Sequence, residues 1–112
     1  MTRLFTAASL ALTLGAAAAL ADTITPIADA SRGTIVTVQG VVDRITDEDE
    51  FRLVDASGKI LVYVGPHWVP AAVGEMVIVH GFVDDDLGAR EIYARSLTRA
   101  DGEVIVFQPG YD

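Results

Sequence analysis

The chain contains no cysteine, which removes disulfides, thiolate metal sites, a cysteine nucleophile and the thiol that lipid attachment needs. Basic residues are scarce: 8 Lys and Arg stand against 16 Asp and Glu, for a formal net charge of -8. A deficit of that size repels phosphate backbones and anionic headgroups at long range, so nucleic acid and membrane surfaces are disfavoured partners. The two histidines are His67 and His80, and no nucleophile-elbow pattern surrounds Ser31, Ser57 or Ser96. A glycosidase-like carboxylate pair would need a cleft that so short a chain hardly offers. These gaps describe a non-enzyme, and nothing calls for a cofactor. A long helical period and an internal repeat are missing too.

What is present begins with an apolar run. Residues 1–21 read as a secretory signal peptide, with Arg3, an apolar stretch from Leu4 to Leu20, and Ala19-Leu20-Ala21 as the cleavage box. The run is long enough to span a membrane, but it is rich in alanine and no basic stop-transfer cluster follows it. Cleavage after Ala21 is favoured over a retained anchor, which predicts a periplasmic protein with no membrane span after cleavage. Residues 22–112 then form one domain of about 90 residues, enough for one core and not for two. Loss of Arg3 makes it more acidic still.

Thr25 and Pro26 suit a helix start, giving a turn or two over Pro26 to Ser31. From Thr34 the period becomes two. Val36, Val38, Gly40 and Val42 share one face of a long strand, and Gly40 lets that strand coil or admit a close backbone. A polar loop from Thr46 to Asp49 precedes a second strand through Phe51 and Leu53 to Asp55, and Asp55 to Gly58 is a turn. Lys59 to Val64 is a third strand, with Ile60, Val62 and Val64 inward and Lys59, Leu61 and Tyr63 outward. Gly65-Pro66 stops it, and one helical turn is expected between His67 and Val73, where Trp68 would plug the barrel bottom. Met76 to Asp84, Arg90 to Thr98 and Val104 to Phe107 complete the strands. The pattern predicts an all-β fold: a small five-stranded OB-fold Greek-key barrel with a short N-terminal helical turn and a C-terminal extra strand. An open sandwich would need about seven strands.

The run "TVQGVVDRITDEDEFRLVDASGKILVYVG", then Trp68, then "VIVHGFVDDDLGAREIYARSL", resembles the bacterial OB-fold (BOF) family of small periplasmic stress-tolerance proteins. Its marks are Val-x-x-Gly on the first strand, Asp-x-x-Gly at Asp55 to Gly58, and Gly-x-Val-Asp at Gly81 to Asp84. The resemblance implies a non-enzymatic binding domain linked to envelope or oxidative stress. It supplies no catalytic residues and names no ligand, and the tail after Thr98 is an addition to the pattern.

OB barrels bind on the outer face of strands two and three. Arg52, Lys59 and Tyr63 are therefore the candidate ligand-binding residues, with Tyr63 able to stack a sugar and the two cations able to meet anionic groups. An ordinary solvated sheet face is the competing reading. Asp47 to Glu50 and Asp84 to Asp86 flank that face with carboxylates, which argues against a phosphate chain. Asp84 and Asp86 are weak metal candidates, since the spacing to Gly88 and Arg95 does not fit a calcium loop. A cell-envelope saccharide or protein is the expected partner. One alternative is a protein-interaction unit using the apolar stripe Met76, Ile78, His80 and Phe82, which something should cover; another is an acidic divalent-cation binder.

Overall fold

A computed structural model describes residues 23–107; the expected signal peptide and its cleavage box lie outside the described residues. Six strands follow a short 3-10 turn at Ile27–Asp29: β1 (Ile35–Asp47), β2 (Glu50–Asp55), β3 (Gly58–Tyr63), β4 (Met76–Val83), β5 (Glu91–Thr98) and β6 (Val104–Val106). Their order is β3-β2-β1-β4-β5-β6, and a parallel pairing of β3 with β5 closes the first five into a barrel. Strand β6 is bonded outside, to β5. Among the described residues no helix is long and apolar enough to cross a membrane.

The barrel follows from the alternating pattern. Val36, Val38, Val42, Phe51, Leu53, Ile60, Val62, Val64, Val77, Val79, Val83, Ile92 and Leu97 all point into one core. Strand β1 serves two neighbours, pairing Val41 with Val54 on β2 and Gly40 with Val77 on β4. A Cβ on Gly40 would lie 2.3 Å from the Val54 carbonyl oxygen, so only hydrogen fits where β1 turns between them. Gly81 is confined in the same way, 2.3 Å from the Tyr93 carbonyl oxygen, beside a bulge in β5. That bulge changes the inward parity, so Ile92 and Leu97, five residues apart, are both buried.

Four local expectations need correction, the expected Thr25 cap among them. Strand β1 does not stop before Thr46; two register shifts let it stay paired with β2 as far as Asp47, and only Glu48 and Asp49 turn. No helical turn forms between His67 and Val73, because Pro70 holds Val69 extended and the Val69 amide bonds the Glu48 carbonyl at 3.0 Å. Trp68 does not plug the barrel. With Val69 packed against the core, its neighbour of opposite parity faces out and is 75% exposed. Phe107 closes that end instead: it is 4% exposed, its ring centroid lies 5.3 Å from His67, and its amide donates to the Arg95 carbonyl at 3.0 Å.

Ile27 closes the opposite end. It is fully buried, its amide donates to Asp55 Oδ2 at 3.0 Å, and its carbonyl accepts from Arg90 Nη1 at 2.8 Å. Pro26 precedes the turn without a side-chain cap, and Thr25, expected to cap, instead donates its amide to the Thr37 carbonyl at 2.7 Å. Asp55 Oδ1 also accepts from the Ser57 amide and hydroxyl and from the Gly58 amide. Burial pushes the Asp55 carboxyl up, but these hydrogen bonds outweigh it and hold the group below its ordinary value.

Candidate functional site: an aromatic groove on the outer wall

The outward residues of β2 and β3 divide between two depressions. Arg52 and Lys59 flank a shallow groove of about 390 Å³ together with Leu61, Ala89 and Arg90. The Arg52 guanidinium is held there by Asp43, with Nε donating to Oδ2 at 2.7 Å. Tyr63 stands at the far end of the strand. Its cross-strand neighbours are Glu50 on β2 and Tyr93 on β5, and its ring occupies the space that a side chain at Gly65 would need. The structure thus brings Arg52 and Lys59 together and sets Tyr63 apart from them along the same face.

Tyr63 belongs to the larger groove, about 650 Å³, lined by Phe82, Glu91, Tyr93 and Arg95 besides itself. The two tyrosine rings meet edge to face, 6.0 Å apart at an interplanar angle of 71°. Phe82 joins them because it pairs with Tyr93 across β4 and β5. The rings come from three strands, and the ring of β3 meets those of β4 and β5 only because the barrel is closed. Sequence reasoning assigned no faces to β5 and missed Glu91, Tyr93 and Arg95; period two from the buried Ile92 would have turned Glu91 and Tyr93 outward.

One wall of the groove is acidic. Burial first, then a hydrogen bond with the Glu50 carboxyl and the charges of Glu50, Asp84 and Asp49, push Glu91 from an ordinary 4.5 up to about 8. Glu50 is itself steadied by the Thr46 hydroxyl at 2.8 Å. Among the described residues neither Glu50 nor Glu91 has an ion-pair partner. Arg90 is turned away to the carbonyls of Ile27 and Ala30, and Arg95 lines the groove beyond Tyr93.

The folded protein therefore holds a proton that the unfolded chain has released between pH 4.5 and about 8. That contribution to stability is complete below 4.5 and is lost as pH rises through 8. Glu91→Gln, which keeps the hydrogen bond without the charge, is expected to stabilise the fold at pH 9 by about 1 kcal/mol, allowing for solvent screening. Thermal unfolding would show this as a rise of roughly 4–8 °C that vanishes at pH 5. An equal melting temperature at pH 9 would mean that the charge on Glu91 costs the fold nothing. The acid limb has the opposite sign: Arg99 hydrogen bonds, then the Ala72 and Ala100 amides, hold Glu75 at about 2, and its contribution is lost as pH falls from 4.5.

The metal candidates Asp84 and Asp86 lie in an exposed loop with Asp85, their carboxylates within 4.8 Å of one another. The loop is shaped by its own bonds, the Asp86 amide donating to Asp84 Oδ1 and the Arg32 guanidinium to the carbonyls of Asp86 and Gly88. On β4, Ile78, His80 and Phe82 are half-buried and Met76 is exposed; β6 lies one strand away, on β5, so the stripe stays partly open. His80 is satisfied within it, with Nδ1 2.8 Å from the Thr37 hydroxyl.

No protein-family model matches the chain, and no curated protein matches it. Among solved structures it is similar to the hypothetical protein YgiW from E. coli, with a TM-score of 0.60 and 26% identity over 70% of this chain and 90% of that one.

Proposed function

We propose that the protein is a secreted, non-enzymatic binding module of the BOF type that works in the periplasm and supports envelope stress tolerance by holding a cell-wall saccharide. The aromatic groove carries this reading. Three rings on the outer wall of a small closed barrel, with charged groups at their margins, form a surface on which sugar faces stack and hydroxyls find acceptors. The family resemblance and the likeness to YgiW support the assignment of type. Lys59, at the other end of β3, and Arg52 beside it on β2 extend the surface for a longer ligand.

The test is a titration of isotope-labelled protein with soluble peptidoglycan fragments, followed by amide shifts. Saturable shifts centred on Tyr63, Phe82 and Tyr93 and reaching Lys59 are expected, and Tyr63→Ala should weaken binding about tenfold, as loss of a stacked ring does. A silent spectrum, or unchanged affinity in the variant, overturns the reading.

A further inference from the structure

The groove is polarised, and its polarity selects a ligand. Its acidic end gathers Glu50 and Glu91 with Asp49 and Asp84 close by, and none of the described basic side chains pairs with Glu50 or Glu91. Its middle is aromatic, from Tyr63, Phe82 and Tyr93. Its other end carries Arg95, four residues along β5 from Glu91. An ammonium group is the complement of the first end, since it donates to both carboxyls and is attracted to the ring faces beside them. A second cation would meet Arg95, so a diamine or polyamine fits poorly.

We propose that the groove between β3, β4 and β5 recognises a primary ammonium group on an apolar stem, seated between Glu50, Glu91 and the rings of Tyr63 and Tyr93, with its neutral or anionic end toward Arg95. The proposal rests on the reading of this groove as the ligand site and names the group that the site selects. It gives the two carboxyls, which have no cation among the described side chains, a purpose: an ammonium would replace the proton that offsets their repulsion. Occupation would also release the proton that Glu91 holds, because an adjacent positive charge lowers a carboxyl's affinity for protons.

Three probes separate the possibilities: 6-aminohexanoate, hexylamine and hexanoate, each titrated into the labelled protein at constant ionic strength. Both amines are expected to give saturable shifts at Tyr63, Phe82, Glu91 and Tyr93, and hexanoate none. Glu91→Gln should weaken both amines at least tenfold, and 6-aminohexanoate should bind more tightly as pH rises from 6 to 8. Tyr93→Leu, which keeps an apolar side chain at this position, should weaken them as well. Binding of hexanoate as strong as that of hexylamine overturns the proposal, as do silent amines or an unchanged affinity in Glu91→Gln. Saccharide shifts without amine shifts would remove the ammonium requirement and leave the binding module standing; amine shifts without saccharide shifts would do the reverse.

Discussion

Gly40→Ala is expected to cost the barrel about 3 kcal/mol, at the upper end of what overpacking a core costs. The reason is the identity of the obstacle. A methyl group at this position would meet the Val54 carbonyl oxygen at 2.3 Å and its carbon at 3.0 Å, both backbone atoms of the strand paired with β1. A flexible side chain would move aside; a ladder of hydrogen bonds moves only as a unit. For a small domain with roughly 5–15 kcal/mol in total, the loss is a large share of stability, and urea unfolding should show it as a much lower midpoint. Gly74→Ala is the comparison. Gly74 has φ of +92° and open space around it, so alanine there suffers backbone strain alone, about 1 kcal/mol. If the two variants unfold at the same urea concentration, the close approach at Gly40 is not what holds the strand in place.

The second large effect belongs to the C-terminal tail. Phe107→Ala is expected to destabilise the protein by about 3–5 kcal/mol, the usual cost of emptying an aromatic site in a core. Trp68→Ala, although it deletes the larger ring, should change stability by less than about 0.5 kcal/mol because most of that ring faces water. Parallel thermal scans read both. A Trp68 variant that melts as low as the Phe107 variant would restore the tryptophan as the plug and make the tail an ornament. The predicted order also gives the residues after Thr98 a structural duty: β6 reaches back along β5 and delivers Phe107 to the open end beside His67.

Much of the barrel was legible in the chain, and the reasons are local. Val36, Val38 and Val42, then Ile60, Val62 and Val64, repeat every second residue, and that period states which face is buried without reference to any partner. Gly40 in mid-strand announced a close approach for the same reason. Trp68 was misread because hydrophobicity says that a residue prefers burial and not that its backbone points it inward. Strand β1 ran longer than expected because bulges let polar residues such as Thr46 and Asp47 stay in a ladder that their composition disguises. The groove was half legible. Tyr63 could be placed on the outer face from its own strand, but its pairing with Tyr93 exists only once the distant strands β3 and β5 have met, and Phe82 joins them through the neighbouring β4.

Strand β5 can be regarded as the keystone of the fold. Without it, β3, β2, β1 and β4 form a curled sheet with two unsatisfied borders, and β5 satisfies both, antiparallel on one side and parallel on the other. Arg90, at its start, then locks Ile27, which entered the chain 63 residues earlier. Assembly is accordingly cooperative and late. Contacts that distant in sequence predict folding in roughly the millisecond-to-second range typical of small barrels, which stopped-flow refolding would read. A chain cut short before Glu91 would leave two naked strand edges, the condition under which β-sheet fragments join one another instead of themselves.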